Sequence, residues 1–377
     1  MFYAVIFLML AILGGVNYYL AHRVWKMVQY FAPKFSLIIP LILFLVFTVL
    51  MMLSFLKPFK GKLQWYISVA GNVWMGVFIY LLLFFLCADC IRLILRITQI
   101  LPVSGMMKFR ALASVCAVVL AFGVSVYGAI NARRIHTTQY DIMLSPSPST
   151  QYKVALISDV HLGAVGSESK LEKIVAQINQ LEPDIVCIAG DFFDTDFDSI
   201  LEPEKAIQTL KQIRSVYGVY ACLGNHDAGS TLPSMEDFLK QANIRLLQDE
   251  YVVINGQLIL AGRLDPTPIG GAGGLKRAEM SDVLKDAGDN LPVVVLDHNP
   301  AQVDQYRDEA DLILSGHTHK GQIFPGSLIT GAMYSVDYGY YQNENGVQAI
   351  VTSGAGTWGL PMRVGTKCEI VKINMAV

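Results

Sequence analysis

Acidic residues are almost absent from the first third of this sequence. Residues 1–130 contain ten lysines and arginines but a single acid, Asp89. The whole chain has 29 basic and 31 acidic residues, so residues 131–377 hold 19 basic (29 − 10) and 30 acidic residues (31 − 1), a net charge near −11. Proteins that bind a phosphate backbone need clustered lysine and arginine. This balance therefore argues against nucleic acid as a partner.

Cysteine is scarce and gives no sign of a disulfide framework. Cys87, Cys90 and Cys116 lie in or beside apolar segments, whereas Cys187 and Cys222 lie within strand-like runs of the acidic part. Cysteine in such runs usually packs as a small apolar side chain. We therefore expect buried free thiols there.

Charge is also missing from four long apolar runs, at residues 2–19, 35–56, 65–88 and 111–130. Each has the length of about 20 residues with which a helix crosses the hydrocarbon layer. Core helices of a soluble protein are the alternative, and four uncharged runs disfavour it. The first run lacks the basic start and the cleavage site of a signal peptide. The pattern predicts a transmembrane anchor of four helices over residues 1–132.

Basic residues near these runs bear on helix extent and on orientation. Arg92 and Arg96 lie in the segment 91–102, which predicts either an interfacial amphipathic helix or a continuation of the third span. Loops on one side carry seven basic residues against five on the other, which favours an extracytoplasmic position for residues 133–377. The free cysteines there favour the opposite side.

Beyond residue 132, short apolar strands alternate with polar, helix-like stretches. The strand-like runs are 139–143, 154–157, 185–189, 219–223, 258–261, 293–296 and 312–314. Helices are predicted over 170–181 and 204–217. Alternation of this kind predicts an α/β domain at 133–377 with much parallel sheet.

Polar residues gather where these strands end. The clusters are Ser158–His161, Gly190–Asp194, Gly224–Asp227, Asp297–Pro300 and Ser315–His319. Residues outside the carboxyl ends of strands in α/β sheets meet at one edge, so the clusters are expected to converge. On a strand-like backbone, residues two apart face the same side. Asp159 with His161, and His317 with His319, would therefore enter one pocket.

Carboxylates and imidazoles together are the usual ligands of first-row divalent metals. A single cluster of this type is more often a turn or a helix cap, but five clusters at strand ends are not independent accidents. Two ions about 3.5–4 Å apart can share a carboxylate and activate water near neutral pH. The pattern therefore predicts a metal site whose ligands suit such a pair of ions.

The order Asp-x-His, Gly-Asp-x-x-Asp, Gly-Asn-His-Asp, His and Gly-His-x-His resembles the calcineurin-like metallophosphoesterase superfamily over about residues 135–377. The segment from Thr352 to Arg363 resembles the branch of membrane-associated phosphodiesterases similar to YkuE and YaeI. The resemblance implies an αββα sandwich of two mixed sheets with helices outside. The four spans are not part of the shared domain.

The resemblance also implies a role for each site residue. Seven residues would bind two divalent ions (Mn, Fe, Zn or Co): Asp159, His161 and His319 the first, Asn225, His298 and His317 the second, and Asp191 both. His226 would protonate the leaving group, and Asp194 would orient His226 by accepting a hydrogen bond. Asp227 is expected to be structural.

The implied reaction is hydrolysis of a phosphate ester by attack of a metal-bridging hydroxide. Anchoring in a lipid bilayer favours a lipid-linked or envelope-associated phosphodiester over a phosphomonoester, with a nucleotide-lipid pyrophosphate as an alternative. A non-catalytic sensor or scaffold on the same fold, and a channel or transporter with a regulatory soluble domain, are alternatives of other classes. The complete ligand set disfavours the first, and the uncharged spans disfavour the second. Arg263, Asp265 and Arg363 are expected either to approach the substrate or to form surface salt bridges.

Overall fold

The computed structural model of the chain describes residues 2–100, 102–288 and 291–377. The chain divides into two compact units, Met1–Gly128 and Ala129–Val377. The division thus lies slightly before the expected boundary at residue 132.

Long helices account for the first unit: α1 (Phe2–Phe31), α2 (Ile38–Leu56), α3 (Gly61–Ile97) and α4 (Val103–Asn131). All four are long and apolar enough to cross a membrane, which confirms the four predicted spans. The helix α3 is continuous to Ile97, so the segment with Arg92 and Arg96 continues the third span.

An ion pair between buried Arg23 and half-buried Asp89 connects α1 to α3, and Arg23 also bonds to α4. Arg23, which is 3% exposed, donates through Nη1 to Asp89 Oδ1 at 2.8 Å and through Nη2 to Ser114 Oγ at 3.1 Å. Tyr19 Oη donates to the other oxygen of Asp89 at 2.6 Å. Charges buried in an apolar helical unit are costly unless they are paired, and here each charge has a partner.

Two six-stranded sheets form the second unit. In chain order their strands are β1 (Ile135–Met143), β2 (Gln151–Ile157), β3 (Ile185–Ala189), β4 (Val219–Cys222), β5 (Ile244–Leu246), β6 (Glu250–Ile254), β7 (Leu258–Gly262), β8 (Val293–Leu296), β9 (Leu312–Ser315), β10 (Gly339–Gln342), β11 (Gln348–Val351) and β12 (Cys368–Ala376). One sheet has the order β1-β12-β2-β3-β4-β5 and the other β10-β11-β9-β8-β7-β6. Antiparallel pairing of β12 with β2, of β6 with β7 and of β10 with β11 makes both sheets mixed.

The helices of this unit are α5 (Ser167–Gln180), α6 (Pro203–Leu210), α7 (Leu232–Gln241), α8 (Met280–Val283) and α9 (Gly326–Met333). The helix predicted over 204–217 is too long, since α6 ends at Leu210. The side chain of Asn179 in α5 forms hydrogen bonds with the backbone that follows α6. It donates to Gln212 O and accepts from Arg214 N, both at 2.8 Å. These two bonds fix a turn in place of further helix.

Strand alternation divides the apolar residues between two layers. Val154 and Leu156 of β2 belong to the core between the sheets, whereas Ile157 belongs to the core under α5, α6 and α7. The expected αββα sandwich is confirmed. Cys187 and Cys222 are buried free thiols, as expected, and burial raises the pKa of Cys187 to about 12.

Candidate metal centre

The structure gathers the predicted ligands at the carboxyl ends of β2, β3, β4, β8 and β9. Their atoms form two groups in which every ligand atom lies within 4.8 Å of the others: Asp159, His161 and His319 in one, Asp191, His298 and His317 in the other. Asn225 joins the second group, because its Oδ1 lies 2.8 Å from His317 Nδ1. This grouping agrees with the division that the motifs implied.

Asp191 belongs to the second group and also approaches the first. Its Oδ2 is 3.1 Å from His298 Nε2 of the second group and 3.9 Å from His161 Nε2 of the first. Within the first group, His319 Nε2 is 3.0 Å from His161 Nε2 and 3.2 Å from Asp159 Oδ1. The two groups of nitrogen and oxygen atoms are thus adjacent, and Asp191 approaches atoms of both.

The backbone at these ligands is not strand-like, contrary to the prediction from their spacing. Five ligands have a left-handed backbone, with φ values of 51° at Asp159, 49° at His161, 49° at Asp191, 72° at His317 and 50° at His319. Residues other than glycine with a left-handed backbone each destabilise the fold by on the order of 1–3 kcal/mol, and they cluster at functional sites. The side chains therefore converge because each loop turns sharply after its strand.

Two motif glycines are required by close approach. A Cβ on Gly316 would overlap Asp159 Oδ2 and Ser158 Oγ, and one on Gly224 would overlap Asp191 Oδ1. Their backbones lie against the ligand carboxylates, which no larger residue would permit.

Hydrogen bonds behind the ligands fix their orientation. His298 Nδ1 lies 2.8 Å from Ala189 O, which leaves Nε2 directed at the site. That Nε2 is buried and lies 3.1 Å from Asp191 Oδ2. The backbone N–H of His317 donates to both oxygens of Asp159 at 3.1 Å. This set of oxygen and imidazole donors fits two divalent ions.

Electrostatics favour neutral imidazoles on one side of the site. Burial lowers the pKa of His317 to about 4. Burial, followed by the charge of Arg363, lowers the pKa of His319 well below its usual range. Both would bind a metal without losing a proton. Burial also opposes protonation of His298, but the Asp191 carboxylate outweighs it and raises the pKa of His298 well above normal.

His226 borders the two groups without belonging to either. Its ring lies edge-on to His161 with centroids 5.1 Å apart, and its backbone N–H donates to Asp191 Oδ1 at 2.8 Å. Its Nδ1 contacts Thr195 Oγ1 at 2.5 Å. The expected partner, Asp194, has its Oδ1 3.6 Å from His161 Nδ1, and ligand atoms of Asp194, His161 and His226 form a third group within 4.8 Å of one another. Thr195 carries no motif signal, and its left-handed φ of 65° turns it toward His226.

Arg363 was expected at the substrate or on the surface, and neither holds. It is fully buried and donates to the backbone oxygen of His319 at 2.9 Å and of Gly356 at 2.7 Å. It therefore positions a ligand-bearing turn. Arg263 and Asp265 are also buried rather than in surface salt bridges.

Asp227 is structural, as expected. Its carboxylate accepts hydrogen bonds from the backbone N–H groups of Phe192, Phe193 and Gly224 at 2.7–3.1 Å. Burial raises its pKa to about 6. These bonds tie the loop after β4 to the loop after β3.

Comparison with known proteins gives a consistent set of relatives. Residues 152–321 match the family model described as "Calcineurin-like phosphoesterase". An uncharacterized metallophosphoesterase of Aquifex aeolicus is 30% identical over 68% of this chain and 97% of its own length. A Danio rerio "Transmembrane protein with metallophosphoesterase domain" is 28% identical over 82% of this chain and 73% of its own length. The uncharacterized metallophosphoesterase YkuE of Bacillus subtilis is 28% identical over 64% of this chain and 85% of its own length.

Proposed function

Because the chain belongs to the calcineurin-like phosphoesterase family, we propose that it hydrolyses a phosphodiester at a centre of two divalent metal ions while anchored in a membrane. The similarity to YkuE confirms the branch that the motifs indicated. The single observation that supports the two-ion centre best is the position of Asp191, which belongs to the second group of ligand atoms and approaches His161 of the first.

Each ion has its own set of ligands in this proposal. Asp159, His161 and His319 would bind the first ion, Asn225, His298 and His317 would bind the second, and Asp191 would bind both. When bound, the ions would neutralise charge on the phosphoryl oxygens and activate a water molecule. Manganese, iron, zinc and cobalt all suit this mixture of oxygen and nitrogen.

His226 would deliver the proton to the departing alkoxide. It lies beside the ligands rather than among them, and Thr195 holds its Nδ1. Asp194 would support the site through His161, because a carboxylate beside the second nitrogen of a metal-binding imidazole fixes the ring and makes it a stronger ligand. The role of Asp194 is thus positioning.

A lipid-linked or envelope-associated phosphodiester is the proposed substrate, because a membrane anchor concentrates the enzyme where such molecules are. A nucleotide-lipid pyrophosphate and a phosphomonoester are the competing substrates of the same chemistry. The count of basic residues in the loops favours an extracytoplasmic catalytic unit. Protease access to the catalytic unit in intact cells, compared with access in inverted vesicles, would test on which side of the membrane this unit lies.

The first experiment uses the full-length protein purified in detergent. Bis-p-nitrophenyl phosphate and p-nitrophenyl phosphate are assayed with and without Mn²⁺, and bound metal is measured by mass spectrometry. Metal-dependent turnover that is faster with the diester is expected. Asp191→Asn should lose both metal and turnover, whereas the matched control Asp237→Asn, at an exposed position of α7, should lose neither. Metal binding without turnover of either ester would support a sensor instead.

A further inference from the structure

Helix α9 presents large apolar side chains to the outside of the second unit. None of its residues is buried, and Leu328, Ile329 and Met333 are 65%, 60% and 69% exposed. Ile329 and Met333 are four residues apart, so they share one face of the helix. Single exposed apolar residues are common, but three on an eight-residue helix mark a contact surface. We refer to these three residues as the α9 patch.

The helix is attached to the metal centre at both ends. Before it, Gln322 N donates to the backbone oxygen of His319 at 3.0 Å. After it, the ring of Tyr334 lies edge-on to His317 with centroids 6.0 Å apart. The half-exposed Trp358 lies 5.8 Å from the ring of His226. Apolar surface therefore borders the pocket in which the phosphate ester would react.

The end of α4 indicates what covers this surface. Residues Gly105–Asn131 form a candidate membrane span, and Asn131 is the last residue of that span. Asn131 Nδ2 donates to the backbone oxygens of Arg363 and Thr366 at 3.1 and 2.9 Å. Arg133, two residues further on, is exposed, as is typical of basic residues at a membrane surface.

The loop held by Asn131 also carries the chain that leads into α9. Phe324 N donates to Val364 O at 2.8 Å, and Val364 N donates to Gln322 O at 3.2 Å. The exit of a membrane helix, a metal-ligand turn and the α9 patch are thus joined through residues 363–366. The occupant favoured by this continuity is the bilayer itself.

We propose that α9 lies in the surface of the bilayer, with Leu328, Ile329 and Met333 among the lipid acyl chains. The metal centre then receives the phosphate ester of a membrane lipid from the adjoining leaflet. The substrate part of this inference rests on the proposed phosphoesterase function, whereas the membrane contact does not.

The membrane contact is tested without any assay of activity. The full-length chain, with Cys87, Cys90 and Cys116 replaced by alanine, carries a fluorophore at Ile329→Cys or at the control Val216→Cys. Val216 is 68% exposed and lies between α6 and β4. In nanodiscs with brominated acyl chains, fluorescence at position 329 should be quenched and fluorescence at 216 should not. Equal quenching of the fluorophores at the two positions would overturn the proposal. The proposal would also be overturned if the fluorophore at 329 stays shielded from solvent in detergent and this shielding increases with protein concentration. That result would indicate contact with a second copy of the chain.

The substrate part is tested with the triple variant Leu328→Ser/Ile329→Ser/Met333→Ser. Hydrolysis of a phospholipid diester in vesicles should fall at least about tenfold, because the enzyme binds the vesicle less well while its chemical step is unchanged. Hydrolysis of soluble bis-p-nitrophenyl phosphate should stay within about twofold. The control Val216→Ser should change neither. Equal effects on both substrates would overturn this part. A wild-type chain that hydrolyses neither ester contradicts the proposed function, and the quenching result then decides the membrane contact by itself.

Discussion

Removal of the His226 imidazole should separate proton delivery from metal binding. The variant His226→Ala retains the backbone N–H that donates to Asp191 Oδ1, so the carboxylate between the two ligand groups keeps its orientation. It also leaves the hydrogen bond of His298 to Ala189 untouched. Both ions should therefore remain bound, and only the group beside the leaving oxygen is lost.

The expected loss depends on the leaving group. A positioned general acid contributes about 10²–10⁴ in rate, or about 2.7–5.5 kcal/mol of barrier. That loss should occur with an alkyl phosphodiester, whose alkoxide must be protonated as it departs. With a nitrophenyl ester the loss should be below about tenfold, because nitrophenolate departs without a proton.

The assay compares kcat for the two esters and the metal content of wild type, His226→Ala and His136→Ala. His136 is exposed on β1 and is a control for loss of an imidazole. Equal losses with both esters would refute the role of general acid. Loss of metal from the alanine variant would show that His226 supports the ligands instead.

Three other results follow from particular contacts. Gly316→Ala should cost about 1–3 kcal/mol and lower the metal content, because its Cβ would overlap Asp159 Oδ2, and unchanged metal content would contradict this. Burial opposes ionisation of Glu369, but hydrogen bonds to its carboxylate outweigh burial and lower the pKa of Glu369. The contribution of Glu369 to stability is therefore complete above the pKa of the unfolded chain, about 4.3, and is lost as pH falls through the lower pKa of the folded protein. Melting temperatures across this acid range should therefore fall more steeply for wild type than for Glu369→Gln. Cys187 and Cys222, whose pKa values are raised by burial, should react with a thiol reagent only after unfolding, and rapid labelling of the native protein would argue against the described core.

The sequence predicted the position of the site because the relevant pattern is local. An apolar run followed at once by Asp159 or Asp191 marks a strand and the residue at its carboxyl end. The sequence did not predict the left-handed backbone at these residues, because contacts with loops that are distant in sequence impose this backbone. Asp159 N donates to Gly190 O at 3.0 Å, and His161 N donates to Asp191 O at 3.1 Å, so the loops after β2 and β3 shape each other.

Residues that act through contacts distant in sequence were missed or misassigned. Arg363 was expected to face solvent or substrate, since nothing in its neighbourhood predicts burial against His319. Thr195 was overlooked because one hydroxyl beside Asp194 has no periodic or motif signal. The strand β12 was overlooked as well, because its partners in β1 lie more than two hundred residues earlier, with Ile135 opposite Cys368.

The number of metal ions bound per chain tests the central claim most directly. Full-length protein, stripped with a chelator and then dialysed against Mn²⁺, should bind two ions per chain, and phosphodiester hydrolysis should return with the second ion. Asp191→Asn should bind fewer than two ions and remain inactive. Full hydrolytic activity in a chain that holds one ion or none would contradict the account.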